Sequence, residues 1–208
     1  MSTLLQIKNL NVKLFTDSGN LPVIDNVNME LLEGEVIGIV GESGCGKSML
    51  ASAIMGIMSS PAKVTDGEII FSGKNLTAMS QRELQKIRGR EISMIFQEPM
   101  TSLNPLMKCG RQIEEVLFTN EKLSKKEMKE RALKAISEVG IARPEEIYNE
   151  IPSHLSGGMR QRIMIAMALI ANPKLLICDE PTTALDVTIQ AEILQLIKKI
   201  QKSRKTSV

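Results

Sequence analysis

Residues 35–50 read EVIGIVGESGCGKSML, and this stretch decides the fold. EVIGIV (35–40) is a compact apolar run of the kind a buried parallel strand needs. Gly41-Glu42-Ser43-Gly44-Cys45-Gly46-Lys47-Ser48 matches GxxxxGK followed by Ser or Thr, and MLASAIMGIM (49–58) reads as a helix. Glycines let the backbone turn tightly, so that N–H groups from Gly41, Ser43, Gly44, Cys45 and Gly46 can face phosphate oxygens. Glu42 and Cys45 contribute mainly backbone. The helix beginning near Lys47 adds its positive dipole end. Lys47 can reach the β- and γ-phosphates of a nucleotide, and the Ser48 hydroxyl is a hard oxygen ligand for Mg²⁺.

On the N-terminal side, residues 4–15 and 23–32 read as strands separated by the turn cluster TDSGN (16–20). On the C-terminal side, 67–73 is a short strand, 80–89 a Ser-capped helix and ISMIF (92–96) a buried strand. From about Met107 to Met159 the pattern turns helical and densely charged, with one helix capped at Ser124 and stopped near Gly140. Strand character returns at KLLIC (174–178), and a last helix, TIQAEILQLIKKIQ, follows. The order predicts an α/β domain with a helical insertion.

LLICDE (175–180) is an apolar strand ending in two carboxylates. Adjacent acids at the end of a buried strand are costly without a cation or a chemical task. In P-loop ATPases this strand carries the Asp that helps hold Mg²⁺, which points to Asp179 as a metal residue. Glu180 is placed to polarise an attacking water.

The 208 residues suffice for one domain with a core. Aromatic content is 2% with no Trp, so aliphatic residues and 13 Met must fill that core. A net charge of +2 gives no electrostatic case for nucleic acid. Cys45, Cys109 and Cys178 are odd in number and far apart, which argues against a disulfide framework or a zinc site. The longest apolar run, Ile163–Ala171, is far shorter than the roughly 20 residues that span a bilayer. Membrane association is therefore expected to go through a partner.

Leu155-Ser156-Gly157-Gly158-Met159-Arg160-Gln161 resembles the signature motif of ATP-binding cassette (ABC) ATPases. Gln97 resembles their Q-loop glutamine, and Thr183-Ala184-Leu185-Asp186 resembles their D-loop. GIVGESGCGKS, FQEPMTSLNP, LSGGMRQRIMIAMAL and DEPTTALDVTIQAEIL are similar to the dipeptide, oligopeptide and nickel importer ATPases. The resemblance implies a P-loop NTPase (RecA-like) core, an N-terminal antiparallel β subdomain and an inserted α-helical subdomain at approximately 98–165. It implies ATP and Mg²⁺ as cofactors, with Ser48, Gln97 and Asp179 toward the metal. Glu180 is then the catalytic base, assisted by Gln97 and Lys47. Ser156 and Gly158 act in trans on the nucleotide of a second subunit, and Asp186 crosses the dimer interface. Phe15 is either the aromatic that stacks on adenine or a strand-core residue.

The implied partners are a second ABC ATPase subunit, identical or related, and integral membrane permease subunits, with a solute-binding protein acting indirectly. The implied place is the cytoplasmic face of the membrane. Family members carry a further strand and a switch histidine after the D-loop helix, whereas the one His here is His154. The chain thus reads as one ABC ATPase domain, 1–208, incomplete at its C-terminus. It would energise import of peptides or nickel; the alternative is a module that binds ATP without efficient hydrolysis.

Overall fold

The structure, a computed structural model, describes residues 2–98, 102–118, 123–183 and 185–208. These form two compact units. One runs to Arg88 and includes Ser207–Val208; the other is Gly89–Thr206.

The first unit is built on an antiparallel sheet of order β2-β1-β3-β4. Its strands are β1 (Thr3–Thr16), β2 (Gly19–Leu32), β3 (Ala62–Phe71) and β4 (Lys74–Asn75). The expected TDSGN turn closes the β1–β2 hairpin, with Thr16 opposite Gly19. Alternation along β1 is partial because the register shifts between Ile7 and Leu10. There Asn9 adopts φ 48, and Asn26 in β2 adopts φ 47. Asn tolerates this left-handed conformation better than other side-chain-bearing residues. Each Asn backbone N–H is met by a neighbouring amide oxygen, Asn28 Oδ1 for Asn9 and Asn11 Oδ1 for Asn26. Leu5 pairs with Phe71 and Ile7 with Ile69, and all four are fully buried. Helix α1 (Lys47–Met55) and helix α2 (Gln81–Ile87) add Leu50, Ile54, Leu84 and Ile87 to this unit's buried set.

The apolar run 35–40 departs from expectation. It is not a strand, and Val36, Ile39 and Val40 are exposed. Its ladder-like bonds are Val208 N–H to Glu35 C=O and Ile37 N–H to Val208 C=O. Apolar composition states a preference for burial. It does not say which distant segment will do the burying.

The second unit holds a parallel pair, β5 (Ile92–Ile95) and β6 (Leu175–Cys178), with Ile95 opposite Cys178. Around it are α3 (Cys109–Phe118), α4 (Lys125–Glu138), α5 (Pro144–Asn149), α6 (Gly157–Leu169) and α7 (Val187–Arg204). Helix α4 begins as expected in a capping box, with Ser124 and Glu127 satisfying each other's backbone N–H groups. Ile113, Leu117, Ile136, Ile163 and Ile165 are fully buried. Met94, Met128 and Met164 fill this core as the composition predicts.

One buried carboxylate in the helical region accepts from a neutral donor. Glu114 of α3 is 7% exposed and accepts from the Tyr148 hydroxyl at 2.5 Å, with Arg111 at 3.6 Å. Burial, and then this bond to Glu114, push the Tyr148 phenol up to about 12. Tyr148→Phe keeps the ring, over which Lys129 Nζ sits at 5.4 Å, and removes only the donor. It is expected to lower unfolding free energy by about 1–3 kcal/mol in urea denaturation. An unchanged midpoint would refute a structural role for this bond.

Candidate functional site

In the first unit the 41–48 loop wraps around its own lysine. Lys47 Nζ donates to the carbonyl oxygens of Gly41 and Glu42, both at 2.8 Å, and lies 3.8 Å from Cys45 Sγ. Its ammonium group is thereby held over the loop rather than extended into solvent. Helix α1 opens without a side-chain cap, and its first turn contains no acid. The positive end of the helix is thus left to interact with an anion. Gly46, the cap residue, has φ 96, and an added Cβ would lie 2.9 Å from the Val23 carbonyl oxygen. Phe15 lies near the end of the β1–β2 hairpin and is 42% exposed, with Lys63 Nζ 5.7 Å from its ring centre. It is not a core residue, so its ring is accessible.

In the second unit the acid pair terminates β6. Asp179 N–H donates to Ile95 C=O, extending the parallel pair by one residue. Glu180 leaves the strand in the left-handed region at φ 45, a conformation that costs a non-glycine residue about 1–3 kcal/mol. Its carboxylate is fixed from two sides. Gln97 Nε2 donates to Oε2 at 2.9 Å, and Thr183 Oγ1 donates to the same oxygen at 3.0 Å. Thr183 N–H and Oγ1 also reach the Glu180 carbonyl at 3.3 Å. Burial pushes the Cys178 thiol, just before the acids, up to about 12, so it stays protonated near neutral pH. Among the described residues no cluster of three His, Cys, Asp or Glu could hold a metal alone.

Helix α6 begins at the third motif. Ser156 is its N-cap, with Oγ accepting from Met159 N–H at 3.3 Å. Leu155 is buried, and Arg160 Nη1 donates to its carbonyl at 2.8 Å, anchoring the segment that enters the helix. The glycines allow close packing against the start of α7. An added Cβ at Gly158 would lie 3.1 Å from Ile189 Cγ2. Asp186 caps α7 by accepting from Ile189 N–H at 3.1 Å. Ala184 of the same motif, and Pro99 to Thr101 after Gln97, lie outside the described residues. His154 pairs with Glu150 at 2.7 Å on the approach to α6.

Two residues quoted within the sequence motifs take roles here that the sequence did not assign to them. Thr183 fixes Glu180, and Gln161 donates through Nε2 to the Pro181 carbonyl at 2.6 Å. Helical spacing contained a signal for Gln161. It shares a face with the apolar residues Met164, Ile165 and Ala168, so its amide had to be buried with a partner.

A phosphate-type loop, a Ser-capped glycine helix start and a strand closing in Asp-Glu occur together in one chain. Residues 24–183 match the ABC transporter family, and the chain belongs to it. The oligopeptide transport ATP-binding protein OppD of Bacillus subtilis is 54% identical over all of this chain and 58% of its own length. AppD, an oligopeptide transport ATP-binding protein of the same organism, is 51% identical over all of this chain and 64% of its own length. DppD, the corresponding dipeptide transport protein, is 50% identical over all of this chain and 62% of its own length. The chain thus spans about three-fifths of the length of these relatives. The dimeric ATP-binding cassette MJ0796, solved in a post-hydrolysis state with ADP and Pi, superposes with a TM-score of 0.88 at 31% identity. That match covers 99% of this chain and 86% of the other. The cbiO1 subunit of Clostridium perfringens gives 0.82 at 29% identity, covering 100% and 77%.

Gly46→Ala places a methyl group against the Val23 carbonyl oxygen in a left-handed residue. A stability loss of about 1–2 kcal/mol in thermal or urea unfolding is expected. Wild-type stability would mean that the loop can leave this conformation freely.

Proposed function

We propose that this chain binds ATP and hydrolyses it to energise peptide import, as the ATP-binding subunit of an ABC importer at the cytoplasmic face of the membrane. The observation that carries the hydrolytic reading is the double fixation of Glu180 by Gln97 and Thr183 at a strand end, directly after Asp179. A carboxylate so held, with its oxygen lone pairs directed, is suited to orient and deprotonate a water. The relatives' names favour peptides over nickel, the other solute class that the sequence suggested.

In this reading the N–H groups of Gly41, Ser43, Gly44, Cys45 and Gly46 bind the phosphates, and Lys47 exchanges its carbonyl partners for phosphate oxygens. Phe15 supplies an exposed ring for the adenine. Glu180 orients water for in-line attack on the γ-phosphate, and Gln97 keeps Glu180 in position. Mg²⁺ suits the donor types. Ser48, Gln97 and Asp179 would offer hard oxygens, and because Gln97 gives its nitrogen to Glu180, its Oε1 would be the atom to serve a cation. When bound, the ion would neutralise charge on the phosphate oxygens. Ser156 and Gly158 serve the nucleotide of a second ABC ATPase subunit, and Asp186 lies toward that partner. The dimeric state of the MJ0796 cassette supports this arrangement. Permease subunits are the membrane partners in this reading; among the described residues no helix is long and apolar enough to cross a membrane.

Lys47→Ala is expected to abolish binding of a fluorescent ATP analogue; unchanged affinity would sink the loop assignment. Glu180→Gln is expected to keep ATP affinity within a few-fold and lower turnover by about 10²–10⁴-fold. Turnover that survives this change would remove Glu180 from the chemistry.

A further inference from the structure

Gln161 lies in α6, two residues beyond Met159, and is 1% exposed. A buried primary amide is retained only where its hydrogen bonds are made. Its Nε2 donates to the carbonyl oxygen of Pro181, the residue after Glu180, at 2.6 Å. Glu180 itself holds a left-handed φ of 45, which persists only where the surroundings over-determine it. Thr183 restrains the turn at one side through the Glu180 carbonyl and carboxylate. Gln161 restrains it at the other.

The helix that carries Gln161 is itself anchored. Arg162 Nη1 donates to Val139 C=O at 2.6 Å, and Arg162 Nη2 pairs with Glu192 of α7 at 2.7 Å. At its start, Gly158 packs closely on Ile189. Ser156, Gly158 and Gln161 thus lie within about two turns at the start of one anchored helix.

We propose that Gln161 is a positioning residue, which holds the Glu180 turn in its strained conformation and ties the start of α6 to the hydrolytic carboxylate. This rests on the hydrolytic reading of Glu180 given above. With Ser156 and Gly158 serving the partner subunit's nucleotide and Glu180 serving its own, the bond links the two ATP sites of a dimer.

The test uses the full 208-residue chain with MgATP, combining steady-state kinetics with hydrogen exchange. Gln161→Leu removes the donor at similar volume. Expected are a kcat lower by about 10–100-fold, an ATP affinity within two-fold of wild type, and a Hill coefficient falling toward 1. Amide exchange of Thr183, whose N–H bonds to Glu180 C=O, is expected to accelerate. A purely structural role would instead lower the melting temperature and affinity together. Thr183→Val, which removes the other restraint on the turn at an exposed position, is expected to lower kcat if Gln161→Leu does not fold. Unchanged Thr183 exchange in Gln161→Leu, or kcat unaltered in both variants, would overturn the proposal. A wild-type chain without turnover would overturn the hydrolytic reading, and exchange alone would then decide the role of Gln161.

Discussion

Parallel pairing of two short strands is the constraint from which the candidate chemistry follows. Ile95 stands opposite Cys178, and Asp179 N–H still bonds to Ile95 C=O. Carrying this register two residues onward brings Gln97 to Glu180, 83 positions apart in sequence and joined at 2.9 Å. A shift of one residue would turn each side chain to the opposite face. The apolar runs ISMI and LLIC therefore do more than fill a core. By fixing the register, they determine which polar residues meet where the pair ends.

Helix starts show a corresponding division of labour. Helices α2 and α4 close their own N-termini with Ser80–Glu83 and Ser124–Glu127 boxes. The serine hydrogen bonds hold both glutamates below the usual carboxylate range. Helices α1 and α6 have no acid in the first turn and begin at glycine-containing segments. The first pair satisfy their dipoles internally. The second pair lack such an acid, α1 having no side-chain cap and α6 only the Ser156 bond to Met159 N–H, and these helices bear the phosphate-loop and signature motifs.

Restraint around Glu180 converts these separate elements into one device. Gln97 arrives from β5, Thr183 from the following turn and Gln161 from α6. A non-glycine residue at positive φ is expensive, and three independent hydrogen-bonding residues hold it there. Strain so maintained keeps the proposed base pre-oriented, at a cost met by folding rather than at the moment of reaction.

Local rules made much of the molecule legible from sequence. The 41–48 loop, the Ser80 and Ser124 caps, the TDSGN turn and the strand ending at Cys178 each depend on neighbouring residues, and each stands where the sequence places it. Burial and long-range pairing were not legible in the same way. EVIGIV is apolar enough for a central strand, yet it lies exposed, because a strand is made by partners outside itself. Phe15 could have been core or surface until the hairpin was folded. Gln161 and Thr183 acquire roles only when α6 reaches the Pro181 carbonyl and the turn after β6 closes on Glu180. Sequence alone determined which chemical groups are available and the local shapes that present them. Tertiary structure decided which groups share a hydrogen bond, because that depends on strand register and helix packing between residues far apart along the chain.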